Sequence, residues 1–251
     1  MTTALAPYRP RTDLVSRLRR RSARVLATRT VRPVLERGLV SFSFDDCPVS
    51  VRDNALPRLE ARGWRATLYA SFGLNGTHNH LGKHMSADDY RAAHAGGHEI
   101  GDHTFSHLDG LACGPDAVRR DIARNRAAFR EAGLPHATSF AYPYGEVTPG
   151  LKRALEGEFG LLRGIHAPHG GSVDLSLAPS QRLYEAERDD VLAAVDRAAR
   201  ERSWLILFSH DVRECPSDFG CTPDTLAAVI DRVTEHGLDV APVAKALERV
   251  L

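Results

Sequence analysis

Two adjacent carboxylates, Asp45 and Asp46, close the apolar run GLVSFSF and are followed at once by Cys47 and Pro48. Neighbouring negative charges repel, so such a pair is comfortable when it is solvated, caps a helix or shares a cation. The plain reading is a cap, with Asp46 or Ser50 satisfying the free amides of a helix that begins near Val51. A chemical reading competes with it. His103 and His107, in HTFSH, stand four residues apart, the spacing by which one helical turn aims two ring nitrogens at a single metal ion. With twelve histidines in the chain such a pair also arises by accident, so a third group from another segment has to decide. Two His and one Asp would leave coordination positions open for water and substrate, as hydrolysis requires.

The elements that must position these groups are legible as a rhythm. Apolar runs recur at GLVSFSF, RATLYASF, HEIGDH, ATSFAYP, GLLRGIHA, QRLYEA, WLILFSH and LDVAPV. Between them lie helical patterns such as SADDYRAAHAGG, with Ser86 as cap and Asp89 three residues later, and GPDAVRRDIARNRAAFREAG, which stops at Gly133. Strand then helix, repeated seven or eight times, predicts an α/β fold, a complete or distorted (β/α) barrel. No Gly-x-Gly-x-x-Gly or Walker pattern follows any strand, which removes support for nucleotide-binding folds. In a parallel barrel the chemistry sits at the C-terminal strand ends. Those ends carry Asp45 and Asp46, then His103 to His107, then Tyr142, Pro143, Tyr144 and Gly145, then His210 and Asp211, and all four clusters are expected on one face. The loop THNHLGKH follows a strand at that face, so His80 is a candidate substrate contact. His78, His84, His166 and His169 are expected to be solvated or supporting.

The chain has 251 residues, 43% hydrophobic and 26% charged, with a net charge of +1, a composition with no global bias towards nucleic acid. No apolar run approaches the ~20 residues needed to span a bilayer. The first residues lack the apolar stretch of a secretion signal, which predicts a cytoplasmic location. Four cysteines in this length are no disulfide framework, and all are expected to be reduced thiols. Residues 1–33 form a basic arm with nine arginines against one acid, Asp13. A partly helical extension packed on the body and dispensable for chemistry is the expectation there, with peripheral contact on anionic lipid as the alternative.

Taken together, FDD, HTFSH, FAYPYG and FSHDV resemble, in order, the motifs of the polysaccharide deacetylase family, also called the NodB-homology or carbohydrate esterase family 4 domain. The likeness starts near Arg37, which places the catalytic domain over residues 34–251. It implies a metal-dependent hydrolase that removes an N-acetyl or similar acyl group from an amino sugar or saccharide-containing substrate by attack of metal-activated water. On this resemblance Asp45 is the catalytic base, while Asp46, His103 and His107 hold a divalent ion, zinc or another transition metal. The Tyr144 backbone N–H meets the oxyanion and His210 is the general acid. Elementary chemistry agrees, since amide hydrolysis needs a polarised carbonyl, an activated water and a proton for the departing amine.

Three departures stand out. Many members carry an arginine at the head of the third motif to orient the base, where this chain reads Ala141, Tyr142, Pro143, Tyr144. Arg182 is the expected replacement, and Tyr142 joins His80 and Arg182 as a substrate-binding candidate. The Asp-x-x-Asp-Trp motif has only Asp174 as a relic, and Cys47 stands where many members have Gly, either as a small packed hydrophobe or close to the site. Hydrolysis of another C–N bond, in a cyclic amide or imide, is the alternative activity, and a catalytically dead binding module the third class. Retention of Asp45, Asp46, His103, His107 and His210 argues against the last.

Overall fold

The computed structural model describes residues 12–26, 28–167 and 171–251. All eight apolar runs become strands of one parallel sheet. They are β1 (Leu39–Asp45), β2 (Thr67–Ala70), β3 (Glu99–Asp102) and β4 (Ser139–Ala141), then β5 (Leu161–Arg163), β6 (Gln181–Arg182), β7 (Trp204–Ser209) and β8 (Asp239–Val240). The order across the sheet is β6-β7-β1-β2-β3-β4-β5, with β8 beside the start of β1. The curled sheet closes only irregularly. Among the described residues β6 and β5 form no ladder; instead the segment that leads into β6 runs along β5, with Ala178 N–H donating to Leu162 O at 2.7 Å and Gly164 N–H to Ala178 O at 2.9 Å. The result is a distorted (β/α) barrel.

Helices cover the outside: α1 (Leu14–Ala23), α2 (Leu56–Glu60), α3 (Ala87–Ala95), α4 (Pro115–Glu131), α5 (Pro149–Leu155), α6 (Arg188–Glu201), α7 (Pro223–Glu235) and α8 (Val243–Val250). α3 opens with the expected reciprocal capping box between Ser86 and Asp89. α4 ends before Gly133, whose φ of 72° terminates it. Among the described residues no helix is long and apolar enough to cross a membrane.

Side-chain alternation along β1 shows how the sheet aims its chemistry. Every residue of β1 is buried, as befits a central parallel strand. Val40, Phe42 and Phe44 enter the core beneath the helices. Ser41, Ser43 and Asp45 share the other face, with Ser43 Oγ donating to Leu207 O at 2.7 Å and Trp204 Nε1 donating to Ser41 Oγ at 3.0 Å. The polar stripe thus rises to the carboxylate at the C-terminal end. At the opposite end Glu99 plugs the barrel, accepting from Thr67 Oγ1 at 2.7 Å, Ser139 Oγ at 2.5 Å and the Ala244 amide at 2.8 Å.

One expectation fails here. Neither Asp46 nor Ser50 caps a helix: Val51–Ala55 makes a single wide π-helical turn running into α2, and the Ser50 side chain makes no capping bond. The arm is partly helical and packs on the body. Ala23 of α1 is fully buried, Lys152 Nζ reaches its carbonyl at 2.8 Å, and Thr30–Val31 pairs antiparallel with Val173–Asp174. The arm has few acids of its own but meets acids of the body, and Arg20 pairs with the buried Glu146 at 3.1 Å.

Gly101 marks a close approach within the barrel, since a Cβ there would lie 2.5 Å from ring atoms of the fully buried Tyr69. Gly101→Ala is expected to cost ~1–3 kcal/mol through overpacking. Chemical denaturation checks this, and an unchanged midpoint would show that the ring can shift.

Candidate active site

The sheet brings the predicted groups to one cleft of about 870 Å³, whose lining includes Asp45, Asp46, His80, His103, His107, Tyr142, Tyr144, Arg182 and His210. One ligand atom from each of Asp46, His103 and His107 falls within 4.8 Å of the others. His107 Nε2 lies 3.2 Å from His103 Nε2 and 3.5 Å from Asp46 Oδ1.

The expected helical turn does not deliver the two imidazoles. Residues 103–107 form an irregular loop in which Thr104 and His107 adopt positive φ, 59° and 52°. Asp102 Oδ1 accepts the Thr104 amide at 2.8 Å, and Thr104 Oγ1 accepts the Leu108 amide at 3.0 Å. From α4, Asp121 Oδ2 accepts the Ser106 amide at 2.7 Å, clamping the loop to the helix. His103 Nδ1 donates to the Ala141 carbonyl at 2.8 Å, which leaves Nε2 with its lone pair inward. Asp46 is also held in the left-handed region, with φ 57°, and the buried His84 donates from Nδ1 to its carbonyl at 2.8 Å. Of the two roles expected of it, His84 thus takes the supporting one. Its contact joins segments 38 residues apart and left no sequence signal.

The donor set fits a divalent cation. Asp46 Oδ1 is buried with no hydrogen-bond partner, and it faces two ring nitrogens too close together to share anything but a proton or an ion. Burial, outweighing the attraction of Asp46, lowers the pKa of His107 to about 4. Burial lowers that of His103 too, against Asp45 and Asp46. Both rings are therefore neutral at neutral pH, the form in which an imidazole can bind a metal. Burial alone would raise the pKa of Asp46, but His107 and His103 hold it below the ordinary carboxylate value.

Asp45 has a different partner from the one expected. Arg182 is exposed on the rim and pairs with Glu187 at 3.1 Å. The arginine on Asp45 is Arg163, 0% exposed, whose Nη2 donates to both carboxylate oxygens at 2.6 and 2.5 Å. Its Nη1 donates to the Gly164 carbonyl at 3.1 Å, and its guanidinium lies 4.6 Å from the Phe208 ring centre and 5.1 Å from that of Tyr69. Arg163 pairs in the parallel register with Ala141, the residue that stands where many members carry the arginine. Partners in a parallel register point to the same face, so the charge has moved one strand sideways at the same height. The available signal was a lone arginine inside the apolar run GLLRGIHA. Burial would raise the Asp45 pKa, but Arg163, with His103 and His210, holds it below the usual range.

The remaining candidates separate. Tyr142 borders the cleft but is buried, and its hydroxyl donates to the Ser176 carbonyl at 3.1 Å, a core role rather than a substrate contact. Tyr144, with φ 58°, lays its ring against His107 at 4.3 Å between centres. His210 Nδ1 donates to the Phe219 carbonyl at 3.2 Å. An unforeseen aromatic wall flanks it: Tyr184 and Phe219 lie 6.1 and 5.7 Å from the His210 ring, and His80 lies 6.2 Å from Phe219. Asp174 ties the arm down, accepting from Lys152 Nζ at 2.7 Å and from the Arg29 amide at 2.9 Å. Cys47 is a packed hydrophobe, its thiol raised well above its ordinary pKa chiefly by burial. Arg20 and Arg24 of the arm's helical segment also line the cleft, whereas His169 lies outside the described residues.

Residues 33–160 match the family described as polysaccharide deacetylase, just over half of the chain. The chain belongs to the polysaccharide deacetylase family. No curated protein matches it significantly. Solved structures share its fold. The carbohydrate esterase family 4 domain of a multidomain xylanase from the hindgut metagenome of Trinervitermes trinervoides has 18% identity and a TM-score of 0.62, over 85% of this chain and 91% of that one. The chitin deacetylase of Colletotrichum lindemuthianum has 18% identity and a TM-score of 0.62, over 88% and 91%. A family 4 acetyl xylan esterase from Clostridium thermocellum, described in complex with a cobalt ion, has 24% identity and a TM-score of 0.59, over 84% and 90%. As a member of the family, this deacetylase is a metal-dependent hydrolase of C–N bonds other than peptide bonds, acting on acetylated saccharides.

Removing Arg163 alone would leave Asp45 as an uncompensated buried charge. Arg163→Met is expected to destabilise by ~3–5 kcal/mol, and the double change Arg163→Met/Asp45→Asn to recover much of that. The sign with pH follows from the depressed Asp45 value: the pair stabilises fully above the unfolded carboxylate pKa of ~3.9 and loses its contribution as pH falls through the folded value. Denaturant melts of the three proteins from neutral pH into acid test both statements. A difference between wild type and Arg163→Met that stays constant into strong acid would contradict the assignment.

Proposed function

We propose that the deacetylase removes an N-acetyl or similar acyl group from an amino sugar, with Asp46, His103 and His107 as the ligands of a zinc-type divalent ion. The observation that carries this reading is the buried, unpartnered Asp46 Oδ1 turned towards two imidazoles whose Nε2 atoms lie 3.2 Å apart. When bound there, such an ion supplies polarisation of the acyl carbonyl and lowers the pKa of a water towards ~7.

The chain's own residues supply the proton handling. Asp45 is assigned as proton acceptor: Arg163 keeps it ionised, fixes the plane of the carboxylate and, with the two aromatic rings around the guanidinium, excludes water from that side. His210 is assigned as proton donor to the departing amine, since its bond from Nδ1 to the Phe219 carbonyl leaves Nε2 for exchange. Tyr144 is assigned to offer its main-chain N–H to the developing oxyanion, a role supported by its left-handed turn and by Gly145, where a Cβ would meet Ile165 at 2.3 Å. Tyr184, Phe219 and His80 form the surface on which a sugar ring stacks, with Arg182 at the rim. On the same terms we place the enzyme in the reducing cytoplasm, supported by the free thiols of Cys47, Cys113, Cys215 and Cys221.

Three kinds of variant test the assignment, each read for bound metal and for acetate released from N-acetylated saccharides. Asp46→Ala, His103→Ala and His107→Ala should lose metal and turnover together, and chelation should reproduce the loss. Asp45→Asn and His210→Ala should keep the metal and lose ~10²–10⁴-fold in turnover. Full metal content in His107→Ala removes that residue from the ligand set, and a loss below about tenfold in Asp45→Asn removes its role as base.

A further inference from the structure

The N-terminal helix α1 has an outward face that the body leaves bare. Ser16 and Ala23 are buried against the domain, and Arg20 lies between them on the same side. The opposite stripe is apolar and open to solvent, with Leu14 70%, Val15 57% and Leu18 57% exposed, followed beyond the helix by Val25 at 71% and Leu26 at 47%. Helical spacing sets Leu14, Val15 and Leu18 side by side. Arg17, Arg21 and Arg24 flank the stripe on one side and Arg19 on the other, and none of these four has a carboxylate partner among the described residues. Asp13, the one acid of the arm, is occupied in capping the helix, accepting the Ser16 amide at 2.9 Å.

We propose that α1 docks in the plane of an anionic lipid surface, its leucines and valines entering the headgroup layer and its arginines meeting lipid phosphates. The pattern of an apolar stripe between cationic flanks is that of an interfacial helix. Charge selects this occupant over the others. A second copy of the helix would bring arginines against arginines, and nucleic acid would satisfy the arginines while leaving Leu14, Val15 and Leu18 in water. The same helix is a wall of the catalytic cleft through Arg20 and Arg24. Docking therefore sets the cleft beside the bilayer, where the N-acetylated saccharide is carried on a lipid. That last clause rests on the proposed function, whereas docking itself is read without turnover, so the two fail separately.

The test is sedimentation of the full chain with vesicles of phosphatidylcholine, with and without phosphatidylglycerol, beside the double variants L14D/L18D and R17E/R21E. The wild type should bind mixed vesicles at least about tenfold more tightly than phosphatidylcholine alone, and more weakly as salt rises. Each double variant should lose about tenfold or more of that binding, with an unchanged thermal melt and unchanged turnover on a soluble N-acetylated disaccharide. These side chains are exposed and do not line the cleft, so folding and chemistry should be untouched. Absence of wild-type binding, or equal binding by L14D/L18D, overturns the proposal. So does a concentration-dependent dimer that L14D/L18D dissolves, or tighter binding to duplex DNA than to mixed vesicles.

Discussion

A buried ion pair organises this enzyme: Arg163 on β5 and Asp45 at the end of β1, joined across the barrel interior with no solvent access to the guanidinium. Removing two charges from water costs several kcal/mol per ion, and only a partner at hydrogen-bond distance offsets it. The pair is therefore only tolerable if the strands that carry it are held at one fixed separation. The polar stripe of Ser41 and Ser43 below it, the rings of Tyr69 and Phe208 around it and the irregular seam at Ala178 beside it all serve that separation. Asp46, one residue on, inherits its place from the same anchoring.

Backbone strain gathers around this anchor. Six non-glycine residues with positive φ occur among the described residues, and five of them, Asp46, Cys47, Thr104, His107 and Tyr144, stand in the motif loops. Each such conformation costs about 1–3 kcal/mol and persists only where surrounding contacts over-determine it. Those contacts are specific: His84 on the Asp46 carbonyl, Asp121 on the Ser106 amide, Asp102 on the Thr104 amide and the Cys47 thiol on the Phe44 carbonyl. These contacts tie the loops that carry Asp46, His103 and His107 to the body of the barrel.

How much of this could be read in the residues alone depended on range. Strand periodicity, the Ser86 capping box and the Gly133 stop are local, and each appears where the pattern put it. The four motifs at strand ends were equally plain, because parallel topology turns four distant segments into one face. What escaped were contacts between segments far apart in sequence. His84 could be read as solvated or supporting without its partner being named, Tyr142 looked like a substrate contact, and Arg182 like the partner of Asp45. Arg163 was hidden in an apolar strand because nothing local distinguishes a structural arginine from a working one. The arm was expected to pack on the body, and Ala23 and Lys152 show the contacts that seal it there, which its composition could not name.

The lateral shift from Ala141 to Arg163 reaches past this chain. In a parallel sheet, a side chain's reach is fixed by its height and face, and neighbouring strands offer interchangeable seats at each level. Drift can therefore hand a charge from one strand to the next without moving the carboxylate it serves. A census of working family members taken by the arginine of the third motif would count this enzyme among the decayed ones. Counted by rung of the ladder instead, it keeps an arginine on its carboxylate.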